Sequence, residues 1–301
     1  MIPSYLKLHE TQKLQELIDT FQKKLSACEL CPHKCNVNRL KGEKGTCKSG
    51  VLPIVSSYSP HYGEESCLVG RGGSGTIFFT FCNLHCIYCQ NYDISQDGVG
   101  REVSHERLAE MMLELQQQGC HNINFVSPSH MTAAILTALP MAIEMGLKIP
   151  LVYNSGGYDS VETLQLLEGI IDIYMPDFKY MDSEIAHDLS GVEDYPQIVM
   201  NALREMHRQV GDLVIDHRGI AEKGLLVRHL VLPNNIASSD RIVRFLADLS
   251  KNTYVNIMNQ FRPEYRAYES FNLKRRVTLD EYDEVVNWAR LSGLNRLDKQ
   301  F

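Results

Sequence analysis

The chain has 301 residues, of which 44% are hydrophobic and 22% are charged, and these proportions exclude a disordered or fibrous protein. Its formal net charge is −7 and it has no long basic run, so broad binding of nucleic acid is not expected. The sequence contains no apolar run of about 18 residues, and its start lacks the pattern of a secretory signal. We therefore expect a cytoplasmic protein that does not bind membranes.

The chain begins with a predicted helix at residues 8–27, where apolar residues recur at helical spacing. A group of four cysteines follows within twenty residues that are rich in turn formers: Cys28, Cys31, Cys35 and Cys47. CxxC pairs bind zinc as well as the iron of iron–sulfur clusters. A structural zinc site and a second iron–sulfur cluster are therefore equally open here. Residues 1–70 are thus predicted to be a helix plus a cysteine-rich, metal-binding extension.

A second cysteine group, Cys82-x-x-x-Cys86-x-x-Cys89, directly follows the apolar, β-favouring run 76–81. The chain has nine cysteines, and this odd number without a signal favours metal-binding thiolates over disulfides. Three thiolates can hold three irons of a [4Fe–4S] cluster and leave the fourth iron open to a ligand that is not protein. A structural zinc site, with His85 as the fourth ligand, is the alternative, but such sites normally have four closed ligands.

Strands and helices alternate from residue 71 onwards. The predicted strands are 76–81, 122–127, 149–153, 171–175, 225–232 and 254–258. Apolar strands separated by helices indicate a parallel sheet that is buried on both faces. We predict an α/β fold in which residues 71–301 form a partial, open TIM barrel of about six βα units. Residues 51–75 are expected to be irregular linker and short strands.

Polar residues follow these strands at their carboxyl ends, where the ligand sites of α/β barrels gather. Ser127 and Ser129 follow the second strand, and Asn154 and Ser155 follow the third. The later strands contribute Asp177, Lys179 and Arg228. These side chains are therefore expected to meet the cysteine triplet at one edge of the sheet.

The triplet, with the aromatic Tyr88 before its last cysteine, resembles the cluster loop of radical S-adenosylmethionine (SAM) enzymes. The chain also resembles the branch called pyruvate formate-lyase activating enzyme-like. The matching motifs are Cys-x-x-Cys-Pro-x-x-x-Cys at 28–35, Gly-Ser-Gly-Thr-Ile-Phe-Phe at 73–79, Cys-Gln-Asn at 89–91, Tyr-Asn-Ser-Gly-Gly-Tyr at 153–158, Asp-Phe-Lys-Tyr at 177–180 and Arg-His-Leu-Val-Leu-Pro at 228–233. The resemblance implies a [4Fe–4S] cluster that cleaves SAM to methionine and a 5′-deoxyadenosyl radical, which abstracts hydrogen from a substrate.

The resemblance also suggests which residues bind the cofactor. Ser127 and Ser129 suit the amino group of SAM, although the Gly-Gly-Glu motif usual at this position is absent and Ser129 is equally suited to cap the next helix. Asn154 and Ser155 suit the carboxylate or the ribose, with an ordinary turn as the alternative. Tyr88 is expected near the adenine.

Asp177-x-Lys179 resembles a pattern of glycyl-radical activating enzymes that lies near the methionine part of SAM and the substrate; a buried ion pair is the alternative. Arg228 is suited to a bidentate contact with a carboxylate. Lys179 and Arg228 are the candidate catalytic residues, and Asp177 is a candidate cofactor-binding residue.

The implied partners are an electron donor such as flavodoxin or ferredoxin and a protein substrate of the glycyl radical type. A small molecule, peptide or nucleoside substrate is the first alternative. A zinc-binding, iron–sulfur or electron-transfer module without turnover is the second.

Overall fold

A computed structural model describes residues 2–298. Its strands are β1 (Ile54–His61), β2 (Ser74–Phe79), β3 (Arg101–Glu102), β4 (Ile123–Val126), β5 (Leu151–Ser155), β6 (Ile173–Pro176), β7 (Val214–Ile215), β8 (Ala221–Leu230), β9 (Tyr254–Met258) and β10 (Arg296–Leu297). Its α-helices are α1 (Ser4–Glu10), α2 (Lys13–Lys24), α3 (Ser66–Val69), α4 (Tyr92–Ser95), α5 (His105–Gln117), α6 (Thr132–Glu144), α7 (Val161–Leu166), α8 (Ser183–Ser190), α9 (Tyr195–Val210), α10 (Ser239–Leu249) and α11 (Leu279–Leu291). None of the helices in this range is both long and apolar enough to cross a bilayer.

The strands form a mixed sheet in the order β10-β9-β8-β6-β5-β4-β2-β1-β3, with β7 paired to β8. Strands β2, β4, β5, β6, β8 and β9 are successive parallel neighbours. At one edge β10 continues in parallel, and at the other β1 pairs antiparallel to β2. The sheet does not close on itself, and the prediction of an α/β fold with six parallel strands in an open barrel is confirmed.

Both faces of the parallel sheet are covered and carry buried apolar residues. On one face Phe125, Tyr153 and Tyr174 belong to the main core that includes the residues of helices α5, α6 and α9. On the other face Val152 and Ile173 belong to a smaller core that includes residues of α3. The short helix α3 therefore fills the inside of the open barrel, opposite the outer helices.

Three parts of the chain differ from the local predictions. The predicted helix 8–27 is two helices, because the left-handed backbone at Gln12 (φ 59°) separates α1 from α2. The segment predicted to be irregular linker and short strands contains one strand of eight residues, β1, which lies within residues 1–70 yet pairs with β2 of the barrel. Helix α11 and strand β10 follow the last predicted strand and were not expected.

Candidate functional site

A cavity of about 250 Å³ lies at the carboxyl ends of the parallel strands. Its lining includes nearly all of the predicted barrel-site residues: Tyr88, Cys82, Cys86, Cys89, Ser127, Asn154, Ser155, Asp177, Lys179 and Arg228. Ser129 is the exception and does not line it. The structure thus brings the cysteine triplet together with the polar ends of β4, β5, β6 and β8.

The cysteine loop is fixed by its backbone at both ends. Phe81, with a left-handed backbone (φ 68°), turns the chain out of β2, and its N–H donates to the carbonyl of Ile94 at 3.0 Å. Farther along, the N–H of His85 donates to the carbonyl of Ser190 (3.2 Å) and that of Ile87 to the carbonyl of Leu189 (2.9 Å). The loop is therefore held against the end of α8.

Each thiol of the triplet has a hydrogen-bonding neighbour. The N–H of Leu84 donates to Cys82 Sγ at 3.4 Å. The other two sulfurs each contact a serine hydroxyl, Cys86 Sγ at 3.0 Å from Ser190 and Cys89 Sγ at 3.1 Å from Ser95. Burial raises the pKa of Cys82 to about 12 and also raises that of Cys86, where the ammonium of Lys179 opposes the change.

These donors suit an iron–sulfur cluster. Three soft thiols face one cavity, and a nearby cation offsets the negative charge that they carry as metal-bound thiolates. Within residues 2–298 no three His, Cys, Asp or Glu side chains are arranged to hold a single metal ion. A cluster places each thiolate on a different iron, so single-ion spacing is not what it requires.

Asp177 lies at the centre of a charge network on the cavity wall. Its carboxylate accepts a hydrogen bond from Lys179 Nζ at 2.7 Å and another from Arg228 Nε at 2.8 Å. The same guanidinium donates to the amide oxygen of Asn154 at 2.7 Å and lies 3.6 Å from Glu64. Asp177 and Arg228 are also paired in the backbone ladder between the two strand ends. The pair predicted from Asp177-x-Lys179 is thus an ion pair that faces the cavity.

The protonation states of this network follow from its contacts. Burial alone would raise the pKa of Asp177, but Arg228 and Lys179 hold it below its usual value. Burial would lower the pKa of Lys179, yet Asp177 and the neighbouring Cys86 raise it well above its ordinary value. The carboxylate and both cations are therefore charged at neutral pH.

The hydroxyls of Ser129 and Ser155 are directed away from this network. Ser129 donates to Asp159 at 2.6 Å and Ser155 donates to the same carboxylate at 2.5 Å. The hydroxyl of Tyr153 is a third donor at 3.0 Å. Ser127 lies at the cavity in a left-handed conformation (φ 57°), and its N–H donates to the carbonyl of Asn154. The hydroxyl of Ser155 is thus engaged by Asp159, and its carbonyl accepts from the N–H of Asp177 at 2.9 Å.

Tyr88 is buried beneath the cluster loop. Its ring packs edge-on against Tyr180 and Phe261, and its hydroxyl is hydrogen-bonded to that of Tyr180. The Tyr180 hydroxyl in turn lies 2.9 Å from the Ser190 hydroxyl. Both the hydroxyl and the ring of Tyr88 are therefore engaged by protein partners, although the residue also lines the cavity.

The N-terminal thiols form a separate group outside the cavity. Burial raises the pKa of Cys31 to about 12, and the nearby thiols Cys47, Cys28 and Cys35 add to the increase. The guanidinium of Arg39, which is itself buried, donates to Cys47 Sγ at 3.2 Å. His33, from the same segment, contacts the carbonyl of Asn83 at 2.7 Å. The two cysteine groups are therefore joined by one hydrogen bond.

Several residues of the site were not predicted from the sequence. Glu64 reaches Arg228 from the segment that was expected to be irregular, and no motif marks it. Ser190 comes from α8, about a hundred positions beyond the cysteine that it contacts. Ser95, in contrast, follows Cys89 by six positions, so its closeness in sequence was a usable signal.

Comparison with known proteins agrees with this site. Residues 76–217 match the family model of the radical SAM superfamily. The chain is 33% identical over 279 residues to the uncharacterized protein MJ0674 of Methanocaldococcus jannaschii, covering 89% of this chain and 75% of that protein.

Two solved structures are also similar. Streptococcus suis SuiB, solved with its precursor peptide SuiA, aligns with 74% of this chain at a TM-score of 0.52 and 12% identity, which supports the fold alone. Native anSMEcpe with bound AdoMet aligns with 72% of the chain at a TM-score of 0.43 and 13% identity. The chain spans 47% and 61% of the lengths of these two proteins. Residues 76–217, which include the cysteine triplet and most of the strand ends around the cavity, are thus the part of the chain that is similar to the radical SAM superfamily.

Proposed function

We propose that the protein is a radical SAM enzyme of the activating type, which abstracts hydrogen from a glycine in a partner protein. The observation that carries the proposal is that Cys82, Cys86 and Cys89 line one cavity with Asp177, Lys179 and Arg228. When bound, the [4Fe–4S] cluster and SAM would supply the 5′-deoxyadenosyl radical. The three thiols would hold the cluster, with its fourth iron open to SAM.

The polar residues of the cavity are assigned to holding SAM and substrate. Asn154, whose amide oxygen already accepts from Arg228, keeps its NH₂ group for a carboxylate or a ribose hydroxyl. The ammonium of Lys179 has donors beyond the one directed at Asp177 and is placed to bind an anionic group. The guanidinium of Arg228 donates to both Asp177 and Asn154 and lies 3.6 Å from Glu64, so its assigned role is to position Asp177 and Asn154.

The test is anaerobic reconstitution with iron and sulfide, followed by dithionite and SAM. We expect 5′-deoxyadenosine from the wild type and a loss of at least about 100-fold from Cys86→Ala, because a cluster short of one ligand is not held. Cys120→Ala is the matched control, since this buried cysteine lies outside the cavity. No 5′-deoxyadenosine from the iron-loaded wild type would contradict the enzyme assignment and favour a module without turnover.

The substrate class needs its own experiment. Incubation with a candidate glycyl-radical protein and a reductant such as flavodoxin or ferredoxin should give a doublet EPR signal on the partner. Deuterium at the target glycine should appear in 5′-deoxyadenosine. Peptides are the alternative class, since SuiB was solved with a precursor peptide. Deuterium transfer from a peptide, without a doublet on any protein partner, would favour that alternative.

The N-terminal thiols are proposed to hold a second iron–sulfur cluster. Zinc, the alternative, is a single ion, and in the described residues these thiols are not arranged around one ion. The observation that carries the proposal is that Cys28, Cys35 and Cys47 lie near the buried Cys31 and that the guanidinium of Arg39 donates to Cys47 Sγ at 3.2 Å. Metal analysis of anaerobic protein should show a loss of iron in Cys31→Ala. Cys67→Ala, another buried cysteine, is the control. Equal metal content in the wild type and Cys31→Ala would contradict a second site.

A further inference from the structure

Two serine hydroxyls lie next to the triplet sulfurs, and one of them ends a buried row of hydroxyl groups. From Cys86 Sγ the row runs 3.0 Å to Ser190 Oγ and 2.9 Å to the Tyr180 hydroxyl, which is hydrogen-bonded to that of Tyr88. Ser190 and Tyr180 have no exposed surface, and Tyr88 is 5% exposed. Water therefore does not compete for these hydrogen bonds.

Cys86 determines which group donates in each hydrogen bond of this row. A thiolate that ligates iron has no proton to give, so Cys86 can only accept. Ser190 must then donate to the sulfur and accept from Tyr180, which leaves Tyr180 to accept from Tyr88. Each hydroxyl polarises the next, so the three donors act together on one sulfur.

The second serine is oriented in the same way. Ser95 Oγ lies 3.1 Å from Cys89 Sγ and accepts a hydrogen bond from the side-chain amide of Gln96 at 3.2 Å. Because its oxygen accepts from Gln96, its single proton is free for the sulfur. Ser95 and Ser190 thus act on two different cysteines from two different elements.

We propose that Ser190, supported by Tyr180 and Tyr88, and Ser95 are positioning residues that raise the reduction potential of the cluster held by Cys82, Cys86 and Cys89. Reduction adds negative charge to the cluster, and hydrogen bonds to its sulfurs stabilise that charge. This inference rests on the proposed function, because it requires the triplet to hold the cluster. The two backbone hydrogen bonds between α8 and the cluster loop hold the hydroxyl of Ser190 next to Cys86 Sγ.

The test is an EPR-monitored redox titration of the reconstituted protein, with iron content measured in parallel. Ser190→Ala should lower the midpoint potential, Tyr180→Phe should lower it less, and Tyr88→Phe least, because each removes a donor farther from the sulfur. Ser95→Ala should lower it independently. Ser183→Ala is the control, since Ser183 is exposed at the start of the same helix.

A decrease in midpoint potential that becomes smaller from Ser190→Ala to Tyr180→Phe to Tyr88→Phe separates this role from simple packing. Packing alone gives no reason for that order. Tyr180→Phe retains the ring and keeps the test decisive even where Ser190→Ala assembles no cluster. An unchanged midpoint potential in iron-loaded Tyr180→Phe and Ser95→Ala would overturn this inference alone. A wild type that assembles no cluster would overturn the proposed function and this inference with it.

Discussion

Asp177 balances two cations that are otherwise buried together. Asp177→Asn leaves Lys179 and Arg228 without their carboxylate, and loss of one member of a buried ion pair costs about 3–5 kcal/mol. We expect a decrease of that size in the free energy of unfolding by urea. Asp188→Asn, at an exposed carboxylate, is the control. Equal stability of Asp177→Asn and the wild type would contradict this charge balance.

The same carboxylate gives a pH dependence of known sign. Because its pKa is lowered in the folded state, its contribution to stability is present above the unfolded pKa of about 4 and is lost as pH falls below it. At neutral pH Asp177 is therefore charged.

His229 adds a second pH dependence of the same sign at higher pH. It is fully buried, donates or accepts at both ring nitrogens, and burial lowers its pKa to about 4. Since the unfolded histidine titrates near 6.5, the unfolded state binds more protons and stability falls as pH decreases from 6.5 towards 4. Between pH 7 and 5 this histidine should account for about 2 kcal/mol of the loss.

The measurement is urea unfolding at pH 7 and pH 5. His229→Asn should be less stable at pH 7 but should lose about 2 kcal/mol less than the wild type between the two values. His217→Asn, at an exposed position, should leave the difference unchanged. The same pH dependence in His229→Asn and the wild type would rule out His229 as its source.

At the scale of elements, the turn after β5 sets how closely two strand ends approach. Gly157 has a positive φ of 78°, and a Cβ there would lie 2.3 Å from the carbonyl oxygen of Asp177. Gly157→Ala should therefore cost about 3 kcal/mol, by adding a backbone clash to the strain of a left-handed residue. Gly119→Ala, also at positive φ but with nothing near its Cβ, should cost about 1 kcal/mol. Similar costs in urea unfolding for the two variants would contradict the close approach.

The parallel strands and their intervening helices could be predicted because each is a long, uninterrupted pattern. Strand β9, for example, has the predicted bounds Tyr254–Met258. For residues 51–75 only irregular linker and short strands were predicted, without bounds, because the Ser-rich sequence of β1 is polar and its eight-residue length depends on pairing to β2. Tertiary context thus decided the elements that propensity did not.

The site divides in the same way. The sequence order of a parallel sheet brings its strand ends together, so the meeting of Asn154, Asp177 and Arg228 with the triplet followed from the pattern. What each side chain does there depends on neighbours from distant segments. Ser155 turns to Asp159, which no strand-end argument anticipates.

At the scale of the whole molecule, the N-terminal segment is part of the support of the cluster loop. His33 contacts the carbonyl of Asn83, inside the triplet, and the ammonium of Lys48 lies 5.7 Å from the centre of the Phe81 ring. The segment just after β1 supplies Glu64 to Arg228 from the inside of the barrel. The N-terminal segment therefore supports the cluster loop, and the segment after β1 supports Arg228 on the cavity wall.

The proposed function requires the cysteine triplet to hold a [4Fe–4S] cluster with one iron open to SAM. The most direct measurement is the EPR spectrum of the dithionite-reduced protein, recorded without oxygen before and after SAM is added. A [4Fe–4S] signal that changes on addition of SAM, and that is absent from Cys86→Ala, is the result expected if SAM binds the open iron. A cluster signal that SAM leaves unchanged, because a fourth side chain already occupies that iron, would contradict it.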